Sequence, residues 1–96
     1  MVISGIITGI VTLHYTVYVL HSIKHNKIYI GFTSDLNQRI LSHNEISKKG
    51  WTVRFRPWKL VYSEQYDSKE KAMEREIQLK SAKGRQFIWD IIHEIM

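Results

Sequence analysis

The sequence has no cysteine. That excludes a disulfide framework and any thiolate metal centre, and it fits a reducing, cytoplasmic setting. Proline occurs once, at Pro57, and glycine five times, so no Pro/Gly-rich linker divides the chain. Internal repeats and low-complexity tracts are also missing. Carboxylates are scarce, with 9 Asp and Glu against 14 Lys and Arg, giving a net charge of +5. Such a surplus favours a polyanionic partner, either nucleic acid or an acidic membrane surface. A protein that is basic without such a partner is the plainer reading of the same number. What is present is ordinary: 96 residues give room for one small domain, and 44% apolar residues argue against disorder.

Charge is absent altogether from the first 23 residues. A spanning helix needs ~20 mostly apolar residues, but Ser4, Gly5, Thr8, Gly9, Thr12, His14 and Tyr15 dilute this run. A secretory signal would start with a basic residue, and Met1-Val2-Ile3 does not. Gly5 and Gly9 have helix-dimer spacing, a weak signal in a run that holds other small residues. The expectation is an apolar extension, Met1 to His14, packed on the domain or on a partner, with no membrane span. The domain itself then occupies residues 15–96.

Tyr15 to His21 is rich in Val and Tyr and reads as a strand, and Ile28 to Phe32 reads as a second. The polar turn between them, with Asn26 as turn former, predicts an antiparallel hairpin. Pairing Tyr18 with Tyr29 also pairs His21 with Asn26, leaves Ser22 to His25 as the loop, and points both phenols to one face. Ser34 or Asp35 starts a helix, with Gln38 completing a capping box after Asp35. On a wheel of about 100° per residue, Leu36, Ile40 and Ile46 form its apolar stripe, and Arg39 and His43 fall inside that stripe. Glu45 to Pro57 reads as loop. Trp58 to Tyr66 reads as a third strand with Trp58, Leu60 and Tyr62 on one face. Asp67-Ser68 starts a second helix that runs to about Ala82, ends near Gly84 and has Ala72, Met73, Ile77 and Leu79 as its stripe. Glu76 lies inside that stripe. Gln86 to Ile95 forms a closing helix.

Two phenols on one sheet face, an inward Arg39, a neighbouring His43 and an inward Glu76 are the inventory of phosphodiester hydrolysis. A lone carboxylate suits Mg²⁺, which keeps most of its waters and takes other ligands from phosphate. An arginine neutralises charge on phosphoryl oxygens. A phenol of pKa ~10 is a poor base unless neighbouring cations lower that value.

The residues also resemble a known family. Thr16-Val17-Tyr18 and Tyr29-Ile30-Gly31 are similar to the two signatures of the GIY-YIG nucleases, the first keeping only its tyrosine and the second intact. The likeness continues through Thr33-Ser34-Asp35-Leu36, Arg39, His43-Asn44, Arg56-Pro57-Trp58-Lys59-Leu60-Val61-Tyr62 and Ala72-Met73-Glu74-Arg75-Glu76, then through Leu79-Lys80 to Gly84-Arg85. It covers Tyr15 to Ile92 and looks most like small stand-alone bacterial proteins related to the nuclease domain of the excision-repair incision subunit. The resemblance implies an α+β fold, a three-stranded antiparallel sheet flanked by helices, and Mg²⁺- or Mn²⁺-dependent cleavage of DNA, including branched or damaged DNA. Position by position, it implies that one of Tyr18 and Tyr29 is the general base and the other positions water or phosphate. It makes Arg39 the phosphate clamp, His43 an active-site histidine and Glu76 the metal ligand. Gly31 would let backbone or ligand come close. Two departures are visible: no asparagine follows Gly84, and Phe32 stands where some relatives have a basic residue.

Plainer uses exist for each residue. Arg39 can snorkel to water, Glu76 can pair with Lys80 one turn on, and His43 can serve packing or capping. Lys48, Lys49, Arg54 and Arg56 can be a solvated loop, although Trp51 among them suits a nucleic-acid flank. The rival functions are a non-catalytic nucleic-acid-binding module and an interaction or membrane-associated domain driven by Met1 to His14.

Overall fold

The structure, a computed structural model, describes residues 14–96. Nearly all of the expected extension therefore lies outside the described residues. Three antiparallel strands, β1 (Tyr15–Ser22), β2 (Lys27–Thr33) and β3 (Lys59–Tyr66), form one sheet in the order β2-β1-β3. β1 is central, and its run from Thr16 to Ser22 is buried throughout. A β-branched run accepts that position because every second side chain meets a different layer. Val17 and Val19 join Ile28, Ile30, Ala72, Leu79, Ile88 and Ile92 on one face. Tyr18 and Leu20 join Trp58 on the other, where Tyr29, Leu36, Ile40 and Phe55 pack around them.

The hairpin differs from its expected register by two residues. Tyr18 lies opposite Gly31, Leu20 opposite Tyr29 and Ser22 opposite Lys27. Asn26 is therefore not paired with His21; it takes φ 51° in the turn, a conformation asparagine tolerates. A shift of two keeps the side-chain parity, so the phenols still share a face, with ring centroids 6.1 Å apart. β3 does depart from simple alternation. Val19 pairs with Tyr62 but Leu20 pairs with Leu60, so Val61 is an extra residue in a bulge. Trp58 thus packs with Tyr18, while Tyr62 turns to the opposite layer. There Glu64 accepts hydrogen bonds from the Tyr62 and Tyr66 hydroxyls and from Arg75 Nε and Nη2, both at 3.0 Å, tying β3 to the next helix.

Helix α1 (Leu36–Leu41) starts where the capping signal places it: Asp35 Oδ1 accepts from Gln38 N at 3.1 Å. It does not continue as an α-helix. Ser42–Ile46 is a π-turn, closed by Ser47 N donating to Ser42 O at 3.0 Å. Arg56 explains the change, because its Nε donates to His43 O at 2.5 Å and its Nη2 to Ser42 O at 3.2 Å and Ser47 O at 2.6 Å. The wider turn leaves Ile46 51% exposed, so it is not part of the stripe with Leu36 and Ile40. The expected loop from Glu45 to Pro57 contains a 3-10 turn, Trp51–Phe55.

Helix α2 (Lys69–Lys80) has Ser68 as its cap, and α3 (Ala82–Ile95) follows almost at once, capped by Ser81. Gly84 is not the end of α2; it lies in the first turn of α3, against the backbone of Gln78 and Leu79. On α2 only Ala72 and Leu79 are fully buried, whereas Met73 and Ile77 are 42% and 66% exposed. The face toward the sheet is the 72/75/76/79 side. Among the described residues no helix is long and apolar enough to cross a membrane.

Candidate functional site

The face of the sheet that carries Tyr18 holds four of the expected residues. Tyr18 comes from β1, Tyr29 from β2, Arg39 from α1 and His43 from the π-turn. Gly31 makes the first contact possible. A Cβ there would lie 2.7 Å from the Tyr18 hydroxyl oxygen and 3.0 Å from Tyr29 Cε2, so the glycine's open space is filled by phenol rather than by a ligand or backbone.

Tyr18 is 0% exposed. Its hydroxyl is 3.0 Å from His43 Nε2, and the His43 ring is 4.6 Å from the Tyr29 ring, centroid to centroid. His43 is itself buried, and its Nδ1 is 3.2 Å from Thr52 Oγ1. The Thr52 carbonyl accepts from Trp58 Nε1 at 2.7 Å. Asn44 then brackets the Trp58 backbone, donating to its carbonyl at 2.9 Å and accepting from its amide at 2.6 Å. Each partner of the buried imidazole is in turn held by another element, and no buried side-chain polar atom among the described residues lacks a partner.

The electrostatics differ from the expectation of a phenol lowered by cations. Burial pushes Tyr18 up to about 12, and the Arg39 guanidinium only partly opposes that rise. Arg39, exposed on α1, is held above its usual value by its two phenol neighbours, Tyr18 first. Burial also lowers His43, with Arg39 and Arg56 pushing the same way, so the imidazole is neutral near pH 7. The pair is thus a reluctant phenol hydrogen-bonded to a neutral imidazole, next to an open guanidinium. Tyr29, half-buried, is the phenol with surface to spare.

Glu76 is not among these contacts. Its carboxylate pairs with Lys80 Nζ at 3.5 Å, and its side chain keeps 19% exposure. Ala72 and Leu79, which flank it on the helix face, pack on the Val17 and Val19 side of the sheet. Arg56 also differs from its expected role: its guanidinium serves the three carbonyls of the π-turn region and holds His43 in place. Lys48, Lys49, Trp51 and Arg54 are exposed on the segment beside the site. Thr52 and Asn44 were missed as supports of the site. Asn44 carries a faint signal through its place beside His43; Thr52 carries none, because only folding brings it to the ring. A separate open cleft of about 300 Å³ lies between α2 and α3, lined by Arg75, Lys83, Gly84 and Phe87 among others, and shares no residue with the phenol cluster.

Comparison with known proteins identifies the family and the fold. The GIY-YIG catalytic domain matches residues 14–88. A UPF0213 protein of Staphylococcus haemolyticus is 38% identical over 76% of this chain and 87% of its own. A UPF0213 protein of Bacillus velezensis is 36% identical over 66% of this chain and 67% of its own. The solution structure of the UPF0213 protein BH0048 from Bacillus halodurans superposes with a TM-score of 0.50 at 28% identity, covering 82% of this chain and 85% of that one. With its fold, its intact second signature and its clustered tyrosines, arginine and histidine, the chain belongs to the GIY-YIG family.

Proposed function

We propose that this face hydrolyses phosphodiester bonds in DNA, acting as an endonuclease. The observation that carries the reading is the Tyr18 hydroxyl held 3.0 Å from a neutral His43 Nε2, with Arg39 open beside it. Arg39 binds the scissile phosphate and offsets the charge that grows on its oxygens. Tyr29 meets the attacking water. The water proton passes to the Tyr29 oxygen and the Tyr29 proton, by way of water, to Tyr18, whose own proton passes along its 3.0 Å bond to His43 Nε2 while Nδ1–H donates to Thr52 Oγ1. No free phenolate forms in this relay, so a Tyr18 pKa near 12 does not obstruct it. Water oxygen then bonds to phosphorus as the bond from phosphorus to the leaving sugar oxygen breaks, and that oxygen takes a proton from solvent to leave as the alcohol.

Among the described residues no three His, Asp or Glu side chains cluster as a metal cage. Glu76 is the carboxylate that would hold Mg²⁺ or Mn²⁺ through a single protein ligand, but it pairs with Lys80 and makes none of the contacts of the phenol cluster. When bound, the ion supplies charge neutralisation at the leaving oxygen. The pairing of Glu76 with Lys80 favours the second reading, a non-catalytic nucleic-acid-binding module on the same fold.

Plasmid and branched DNA incubated with the protein in Mg²⁺ and in Mn²⁺ separate the two. Nicking that is lost in Glu76→Ala supports the enzyme with its metal ligand. Nicking that persists in Glu76→Ala removes that carboxylate from the chemistry. Salt-sensitive DNA binding with no cleavage in either metal supports the binding module.

A further inference from the structure

Beside the phenol cluster runs a second feature that the chemistry above does not use. Trp58, 6.5 Å from the Tyr29 ring, is followed outward by Trp51 at 5.7 Å, then Phe55 at 4.8 Å, then His25 at 5.4 Å, all between ring centroids. Trp58 is buried, but Trp51 keeps 45% of its surface open. The outer end is cationic: Lys27 Nζ and Arg54 Cζ each stand 5.6 Å from the Phe55 ring centroid. The segments that build this ridge, residues 23–27 and 47–56, contain no Asp or Glu. They are far apart in sequence and are joined only by the contact between the β1–β2 turn and the 3-10 turn.

Cations alone would suit the phosphates of any duplex. An open indole next to them adds something a duplex cannot use along its length, because paired bases already cover both faces of one another. An unpaired base has a free face, and aromatic platforms flanked by Lys and Arg bind single strands by stacking with little regard to sequence. The geometry points to a stacking track for unpaired nucleotides that leaves the candidate site over Trp51 and ends at the β1–β2 turn. The preferred DNA is then a duplex that carries a single-stranded flank beside the cut. This rests on the nuclease reading for the cut itself, but the track is defined by binding.

The test is fluorescence anisotropy of the full-length protein with labelled oligonucleotides in EDTA, so that nothing is cleaved. A duplex with a single-stranded tail of about ten nucleotides, within the span of known single-strand binders, is compared with a blunt duplex. The tailed duplex is expected to bind about tenfold more tightly. Trp51→Ala removes that preference, Trp51→Phe keeps most of it, and Lys27→Gln weakens the tailed duplex more than the blunt one. Equal binding of tailed and blunt DNA by the wild type overturns the track, and that comparison needs no variant to fold. A Trp51→Ala protein that keeps the preference overturns it too. If the preference holds but no DNA is cut in Mg²⁺ or Mn²⁺, the nuclease reading fails and the track stands.

Discussion

Tyr18→Phe is expected to lower the DNA nicking rate by about 10²–10⁴-fold, the usual loss when a positioned acid–base group is removed. The ring would still pack on Leu20 and Trp58. Only the hydroxyl goes, and with it the 3.0 Å bond to His43 Nε2. The buried imidazole nitrogen left without a partner costs about 1–3 kcal/mol of stability, so the variant should fold with a somewhat lower melting temperature. Single-turnover nicking beside circular dichroism separates the two effects. A folded Tyr18→Phe protein with wild-type nicking would remove the hydroxyl from the reaction.

Gly84→Ala carries the largest expected effect on stability. A Cβ at Gly84 would lie 2.5 Å from Leu79 Cα and 2.6 Å from Leu79 C, and closer still to the Gln78 carbonyl oxygen. All three are backbone atoms at the end of α2, so no rotamer change relieves the overlap. Helix α3 must move off, and it carries the fully buried Ile88 and the almost fully buried Ile92. Overpacking costs ~1–3 kcal/mol or more, against a gain of up to ~1 kcal/mol for alanine over glycine inside a helix. A net loss near 2 kcal/mol lowers the melting temperature of a domain this size by roughly 8–16 °C. A thermal melt that shows no change, or a rise, would mean that the two helices can part without loss.

The same glycine shows where reading a sequence stops. Gly84 has the look of a helix end, because glycine after a periodic stretch usually is one. Here it serves close packing, and the real boundary is marked by Ser81, whose hydroxyl accepts from Gly84 N at 3.1 Å. Strand β1 was legible from its Val and Tyr content, and the shared face of Tyr18 and Tyr29 from parity alone. The register was not, since it depends on Asn26 taking the turn and on Gly31 admitting a phenol opposite. The bulge at Val61 was also invisible, because pairing with β1 sets it rather than anything in β3. Arg56 stood in a basic segment and read as a nucleic-acid contact. Its Nε and Nη2 are taken by three carbonyls in and beside a π-turn, a turn with no local sequence mark. Tyr18, Tyr29, Arg39 and His43 are expected side by side from the sequence, and the fold gathers them on one face. Thr52, which fixes the imidazole from behind, needs the folded chain to be seen.

The central claim is that Tyr18 works through a neutral His43. Burial first, then Arg39 and Arg56, lowers the His43 pKa below the usual 6.5. The unfolded chain therefore takes up a proton near pH 6.5 that the folded protein refuses until lower pH. Stability declines as pH falls below that point and levels off once the folded imidazole is charged. Nicking should follow the folded imidazole and fall at the pH, below 6.5, where His43 Nε2 becomes protonated. The decisive measurement is the pH–rate profile of nicking set beside an NMR titration of the His43 ring in the same protein. The acid limb of the rate and the His43 titration are expected to coincide below pH 6.5. An acid limb that ignores the His43 titration, or a rate that persists with the ring charged, would contradict it.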